Sequence, residues 1–126
     1  MRLKKRLLNG SRLYLILDKS ACGRKNLKTV LKRAIRGGVD IVQYRDKASA
    51  TKTVIRQARF LLETARRSRI PFIINDRLDV ALSINADGLH LGQEDAPVRV
   101  ARKVLGENKI IGLSCHSLSQ VRKAQS

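Results

Sequence analysis

The sequence has few aromatic residues and few of the residues that cross-link or interrupt a chain. Among 126 residues there are two tyrosines, two phenylalanines and no tryptophan, and proline and cysteine also occur twice each. Cys22 and Cys115 are far apart and match no disulfide or metal-ligand spacing, so we interpret them as free thiols of a reducing compartment. The scarcity of aromatic residues leaves a core of Leu, Ile, Val and Ala side chains.

Long hydrophobic runs are also missing. No apolar segment approaches the roughly 20 residues that a membrane-spanning helix needs. The basic start, residues 1–6, is followed by too few apolar residues for a signal peptide. We therefore expect no membrane partner and a cytoplasmic location.

Acidic residues are scarce, and their positions are informative. The sequence has 10 Asp and Glu against 27 Lys and Arg, which gives a net charge of +17. Such a charge favours polyanionic partners, either nucleic acid or small phosphorylated compounds. The basic residues fall between the apolar positions of predicted helices, whereas four acids each follow a predicted strand: Asp18, Asp46, Asp76 and Asp95. Acids gathered at strand ends favour a site for a metal ion and a diphosphate.

The hydrophobic pattern alternates between strand and helix periodicity five times. The predicted strands are Leu13–Asp18, Val39–Arg45, Phe72–Ile74, Leu89–Leu91 and Lys109–Cys115. A loop over Lys19–Lys25 precedes the first helix, for which Asn26 is a good N-cap. This alternation predicts a single α/β domain over residues 1–126, with a parallel sheet covered by helices. Periodicity alone leaves two architectures open, a doubly wound sheet or the first five units of an eightfold barrel, since a closed barrel needs roughly 200 residues.

The segment QYRDK ends the second predicted strand. Arg45 and Lys47 lie two positions apart, so both side chains can reach the carboxyl edge of the sheet and together bind a diphosphate. The alternative is a surface ion pair with Asp46. The segment alone does not decide between them.

A second group of polar residues follows the third and fourth predicted strands: Asn75, Asp76 and Asp95. Mg²⁺ prefers one or two carboxylates together with phosphate oxygens, which matches this sparse set. The alternative is that Asp76 and Asp95 only cap the helices that follow, with Pro97 in the first turn of the helix after Asp95. After the fifth strand, Ser114 is a candidate hydrogen-bond donor to phosphate, while we interpret His90 as a partnered core histidine.

Four segments occur in the order in which a known family carries them: LYLILD, GGVDIVQYRDK, IPFIINDRLDVALSINADGLHLGQED and IIGLSCHS. They resemble thiamine phosphate synthase, from about Leu13 to the end of the sequence. The resemblance implies a (βα)8 barrel enzyme of thiamine biosynthesis. It implies a transferase that joins a hydroxymethylpyrimidine diphosphate to a thiazole phosphate, using Mg²⁺ and releasing diphosphate.

The resemblance also implies roles for individual residues. Arg45 and Lys47 would be catalytic, because they would stabilise the charge of the departing diphosphate. The implied substrate-binding residues are Gln43, Arg45, Lys47, Asn75 and Ser114. The implied Mg²⁺ ligands are Asp76 and Asp95.

The family continues through three further βα units, which carry the loops for the thiazole phosphate. We therefore predict an incomplete (βα)8 TIM barrel of five parallel strands, with open edges and an exposed apolar interior. The chain would be a fragment, a truncated product or a partner in a homo-oligomer that covers the open barrel.

A non-catalytic regulator of the family is an alternative that the complete QYRDK, ND and QED sets argue against. A basic nucleic-acid-binding module is another, and it lacks aromatics at a recognisable spacing.

Overall fold

The computed structural model describes residues 8–126, so the basic start at residues 1–6 lies outside it. The strands are β1 Tyr14–Asp18, β2 Ile41–Arg45, β3 Phe72–Asn75, β4 Gly88–Leu91 and β5 Ile110–Leu113. The helices are α1 Lys19–Cys22, α2 Leu27–Arg36, α3 Thr51–Arg67, α4 Leu78–Ile84, α5 Val98–Leu105 and α6 Leu118–Gln125. None of these helices has both the length and the apolar composition needed to cross a membrane.

The five strands form one parallel sheet in the order in which they occur along the chain. A doubly wound sheet would reverse its strand order at a switch point, whereas barrel units follow one another around the axis. The observed order is therefore that of consecutive barrel units. The sheet is not closed, and β1 and β5 are its edges. The predicted five-stranded, open, barrel-like α/β fold is confirmed.

The two faces of the sheet bury different residues. On the outer face, side chains such as Leu17, Tyr44 and Phe72 pack with the helices in the main core. On the inner face, Ile41, Ile73 and Ile110 form a separate small cluster from three strands. This division follows from the two-residue repeat of a strand, which sends successive side chains to opposite faces. The inner face is the one that a closed barrel would enclose.

The helix starts confirm one prediction and correct two. Asn26 caps α2, since its side chain accepts a hydrogen bond from the Thr29 N–H at 3.1 Å. The segment predicted as a loop contains α1. The Asp18 carboxylate accepts hydrogen bonds from the first N–H groups of this helix. The predicted cap at Asp95 is wrong, because α5 begins at Val98 with Pro97 at its N-cap position and no side-chain cap.

Gly88 provides a stability test of the close packing between β3, β4 and β5. A Cβ at this position would lie 2.5 Å from the Ile110 carbonyl oxygen and 2.6 Å from Ile73 Cδ1. We expect Gly88→Ala to lower the free energy of unfolding by about 2–3 kcal/mol, measured by urea denaturation. The control is Gly37→Ala, where the nearest atoms are 3.4 Å away and φ is −76°. We expect a change below about 0.5 kcal/mol there. Equal effects of the two substitutions would contradict the packing argument.

Candidate active site at the carboxyl ends of the strands

The carboxyl ends of all five strands lie on the same side of the sheet, because the strands are parallel. Polar side chains follow them or occupy their last inward-facing positions. We call this group the rim. It comprises Asp18, Lys19, Gln43, Arg45, Asp46, Lys47, Asn75, Asp76, His90, Asp95 and Ser114.

Arg45 forms an ion pair with a neighbour on β1. Its guanidinium nitrogen Nη1 lies 2.5 Å from Asp18 Oδ2, and the two residues are also paired in the strand register. The hydrogen bond from Arg45 is the main cause that lowers the pKa of Asp18, with backbone N–H groups of α1 contributing. Asp18 is therefore ionised at neutral pH and holds Arg45 toward the β1 side of the rim.

Lys47 forms an ion pair with Asp76 on the other side of β2. Asp76 has a φ of 64°, in the left-handed region that is uncommon for a residue other than glycine. Its N–H donates to the carbonyl of His90 at 2.7 Å, while the next N–H donates to the Asn75 carbonyl at 2.8 Å. This strained tight turn directs the mostly buried Asp76 carboxylate at the rim, where strain of this kind often accompanies function.

Asp46 takes no part in pairing with either neighbouring cation. Its carboxylate accepts from the N–H groups of Ala48 and Ser49 and from the Tyr44 hydroxyl, and Lys19 lies 3.8 Å away. Burial raises the pKa of Asp46, but these hydrogen bonds outweigh it and hold the pKa low. The alternative interpretation of QYRDK, a surface ion pair with Asp46, is therefore wrong.

A row of hydrogen-bonded side chains crosses three strands on the inner face. Asn75 Nδ2 donates to Gln43 Oε1 at 2.7 Å, and Gln43 Nε2 donates to the Tyr14 hydroxyl at 3.0 Å. Gln43 is only 3% exposed, although it is polar. The structure therefore brings together two of the predicted substrate-binding residues and adds Tyr14, which the sequence interpretation missed.

His90, on β4, contacts Ser114, which follows the end of β5. The distance from His90 Nε2 to Ser114 Oγ is 2.8 Å. The ring lies directly against Gly112, where a Cβ would collide with Nδ1, so only glycine leaves room for it. Partial burial lowers the pKa of His90. His90 has a partner, as predicted, but it lies half-buried on the inner face and not in the main core.

Asp95 and Asp76 both form hydrogen bonds with the backbone at the end of β4. The Gly92 N–H donates to Asp95 Oδ2 at 2.7 Å, two residues beyond the His90 carbonyl that accepts from Asp76. Neither carboxylate caps the helix that follows, since α4 and α5 lack side-chain caps. Within residues 8–126, no three His, Cys, Asp or Glu residues form a metal-binding group. Two carboxylates completed by phosphate oxygens remain a donor set that fits Mg²⁺.

An open depression of about 530 Å³ lies at the rim between the ends of β1 and β2. Its lining residues are Asp18, Lys19, Ser20, Gly23, Arg45, Asp46, Lys47, Ala48 and Ser49. Arg45 and Lys47 border it together, but each is held by an acid on a different neighbouring strand. A ligand of both cations has to replace these carboxylates.

Sequence reasoning placed Asp18 at the edge of the sheet without a role, and it did not assign Tyr14 or His90 to the site. A usable signal was present, because inward positions recur every second residue along a strand. Counting back from Asp18 by two and by four gives Ile16 and Tyr14, and counting forward from Gly88 gives His90. The partners of these residues depend on strand register, which the sequence does not show.

Comparisons with known proteins agree on one family. A family model described as thiamine monophosphate synthase matches residues 13–126. The thiamine-phosphate synthase of Halalkalibacterium halodurans is 47% identical over 114 residues, covering 90% of this chain and 54% of that protein. The Chloroflexus aurantiacus protein of the same name is 43% identical over 113 residues, covering 90% and 52%.

A solved structure supports the same assignment. Thiamine phosphate pyrophosphorylase from Pyrococcus furiosus superimposes with a TM-score of 0.82 at 33% identity, covering 93% of this chain and 56% of that one. The present chain thus spans about half the length of the curated relatives it matches.

The position of His90 predicts how it titrates. Burial disfavours the charged imidazolium, so we expect a midpoint below the ordinary value of about 6.5. Because the unfolded chain then binds more protons, this histidine contributes stability above pH 6.5 that decreases as the pH falls below that value. The chain has two histidines, so His116→Gln leaves His90 as the one imidazole to follow by NMR. A midpoint at or above 6.5 would show that the ring is more exposed than the structure indicates.

Proposed function

The chain belongs to the thiamine monophosphate synthase family, and on that basis we propose that its rim binds a hydroxymethylpyrimidine diphosphate. The reaction would be condensation with a thiazole phosphate, giving thiamine phosphate and diphosphate. The observation that carries this proposal is the arrangement on β2 and β3. There the amide pair Gln43–Asn75 lies next to the ion pair Lys47–Asp76.

The amide pair suits the edge of a pyrimidine ring. Asn75 uses one N–H on the Gln43 oxygen, and Gln43 uses one of its own N–H groups on the Tyr14 hydroxyl. The remaining N–H groups and lone pairs offer both donors and acceptors. An aminopyrimidine edge presents the complementary combination of an amino donor and a ring-nitrogen acceptor.

Arg45 and Lys47 would bind the departing diphosphate. The C–O bond breaks with its electron pair leaving on the diphosphate, and the thiazole nitrogen then supplies the pair that forms the new C–N bond. Negative charge develops on the leaving group, so two fixed cations stabilise the transition state more than the ground state. This sequence of bonds requires no general base from the protein.

The charge of the rim is a further reason to propose a divalent cation there. Three cations, Lys19, Arg45 and Lys47, face four carboxylates, so the rim carries a net charge of −1. These paired groups by themselves offer a diphosphate no net positive charge. Asp76 and Asp95 would hold Mg²⁺, which supplies two positive charges and neutralises the leaving group. Lys47, which pairs with Asp76, would then be released toward the diphosphate.

The partners and location follow the same proposal. The substrates would be the two phosphorylated compounds, and Cys22 and Cys115 are both free thiols, which suits the reducing cytoplasm. The strongly basic helix surfaces would remain in solvent around the acidic rim.

Calorimetric titration with the pyrimidine diphosphate tests the proposal. We expect binding that requires Mg²⁺ and weakens at least about tenfold in Asp76→Ala. The matched control is Asp79→Ala, three residues further on, where an exposed carboxylate pairs with Arg77. That variant should bind like the unaltered chain. Mg²⁺-dependent binding of unchanged strength in Asp76→Ala would contradict the assignment of the metal ligand.

The open inner face leads us to propose that a second copy of the chain covers it. Ile16 lies on the edge strand β1 next to this face and is 53% exposed, while Ile41, Ile73 and Ile110 continue the apolar surface. Exposed apolar patches next to unpaired strand edges favour association. We expect light scattering to give a mass of at least twice the 14.1 kDa of one chain. A single species of 14.1 kDa that stays folded would contradict the oligomer.

A further inference from the structure

We propose that Tyr14 is a positioning residue that fixes the buried amide of Gln43 for binding the pyrimidine ring. The inference rests on the function proposed above. Tyr14 itself lies below the rim, at the first inward position of β1, and the residue is 44% exposed. It touches neither of the ion pairs that would meet the diphosphate.

The hydrogen bonds of Gln43 show what Tyr14 does. Gln43 has one carbonyl oxygen and one amide nitrogen, and the two point to opposite neighbours. Asn75, on β3, donates to the Gln43 oxygen, and Tyr14, on β1, accepts from the Gln43 nitrogen. Within residues 8–126 every buried side-chain nitrogen or oxygen has such a partner. The amide is therefore held at both ends across three strands.

Removal of the Tyr14 hydroxyl would release one end of this row. In Tyr14→Phe the Gln43 Nε2 would lose its acceptor at a nearly inaccessible position. An unsatisfied buried donor is unfavourable, so the amide would rotate or move to find another partner. The donors and acceptors that Gln43 and Asn75 present to the ring would then change. The diphosphate contacts of Arg45 and Lys47, which involve other atoms, would not change.

The inference therefore predicts that Tyr14→Phe affects the binding of two ligands differently. In the presence of Mg²⁺, Tyr14→Phe should weaken binding of the pyrimidine diphosphate about tenfold. Binding of inorganic diphosphate, which lacks the ring, should stay within about twofold of the unaltered chain. The control is Ser83→Ala, which also removes one hydroxyl, but an exposed one that donates to the Asp79 carbonyl within α4. That control should bind both ligands normally.

A double-mutant cycle tests whether Tyr14 acts through Gln43. In a Gln43→Leu background the amide is gone, so adding Tyr14→Phe should cause no further loss of pyrimidine diphosphate binding. Thermal unfolding of each variant shows whether it is folded at the titration temperature. Full additivity of the two substitutions would overturn the inference.

The outcomes separate this inference from the proposed function. If the unaltered chain binds neither ligand, the proposed function fails. If it binds both and Tyr14→Phe binds them equally well, Tyr14 has no positioning role and the proposed function stands. An equal loss of both ligands in Tyr14→Phe would indicate a general structural role and would also overturn the inference.

Discussion

The parallel register of β2 against β3 is the constraint on which the site depends. It places Val42 opposite Phe72, whose side chains face the helices, and Gln43 opposite Ile73, whose side chains face the inner side of the sheet. A shift of one residue would send Gln43 and Arg45 beneath the helices and turn Tyr44 to the inner face. The packing of Tyr44 with Phe72 in the main core therefore also holds the polar row in place.

Periodicity was sufficient to predict the five strands and the edge where their polar residues collect. It was insufficient to predict which acid pairs with which cation. Arg45 pairs with Asp18, which lies 27 positions earlier, and not with the adjacent Asp46. The adjacent carboxylate is unavailable because backbone N–H groups and a tyrosine hydroxyl already surround it. Such competition between local and distant partners is decided by tertiary packing, which composition and spacing do not encode.

The error at Asp95 has the same origin. An aspartate two residues before a proline at a helix start is a reasonable capping candidate by local rules. In the fold the loop turns so that the Gly92 N–H reaches the Asp95 carboxylate first. Asp18 shows the opposite result, since it both accepts from the start of α1 and pairs with Arg45. One carboxylate therefore serves a local cap and a distant cation at once.

The cations of the rim are already paired with carboxylates, which would limit what a diphosphate gains by binding there. Arg45, Lys47 and Lys19 each have a carboxylate beside them. Lys47 is 56% exposed and can leave readily, but Asp76 is only 16% exposed and would be left as a poorly solvated anion. A buried charge without a partner is strongly unfavourable. Under the proposed function, release of Lys47 toward a diphosphate would therefore require the arrival of another cation at Asp76, and we expect metal and diphosphate to bind together.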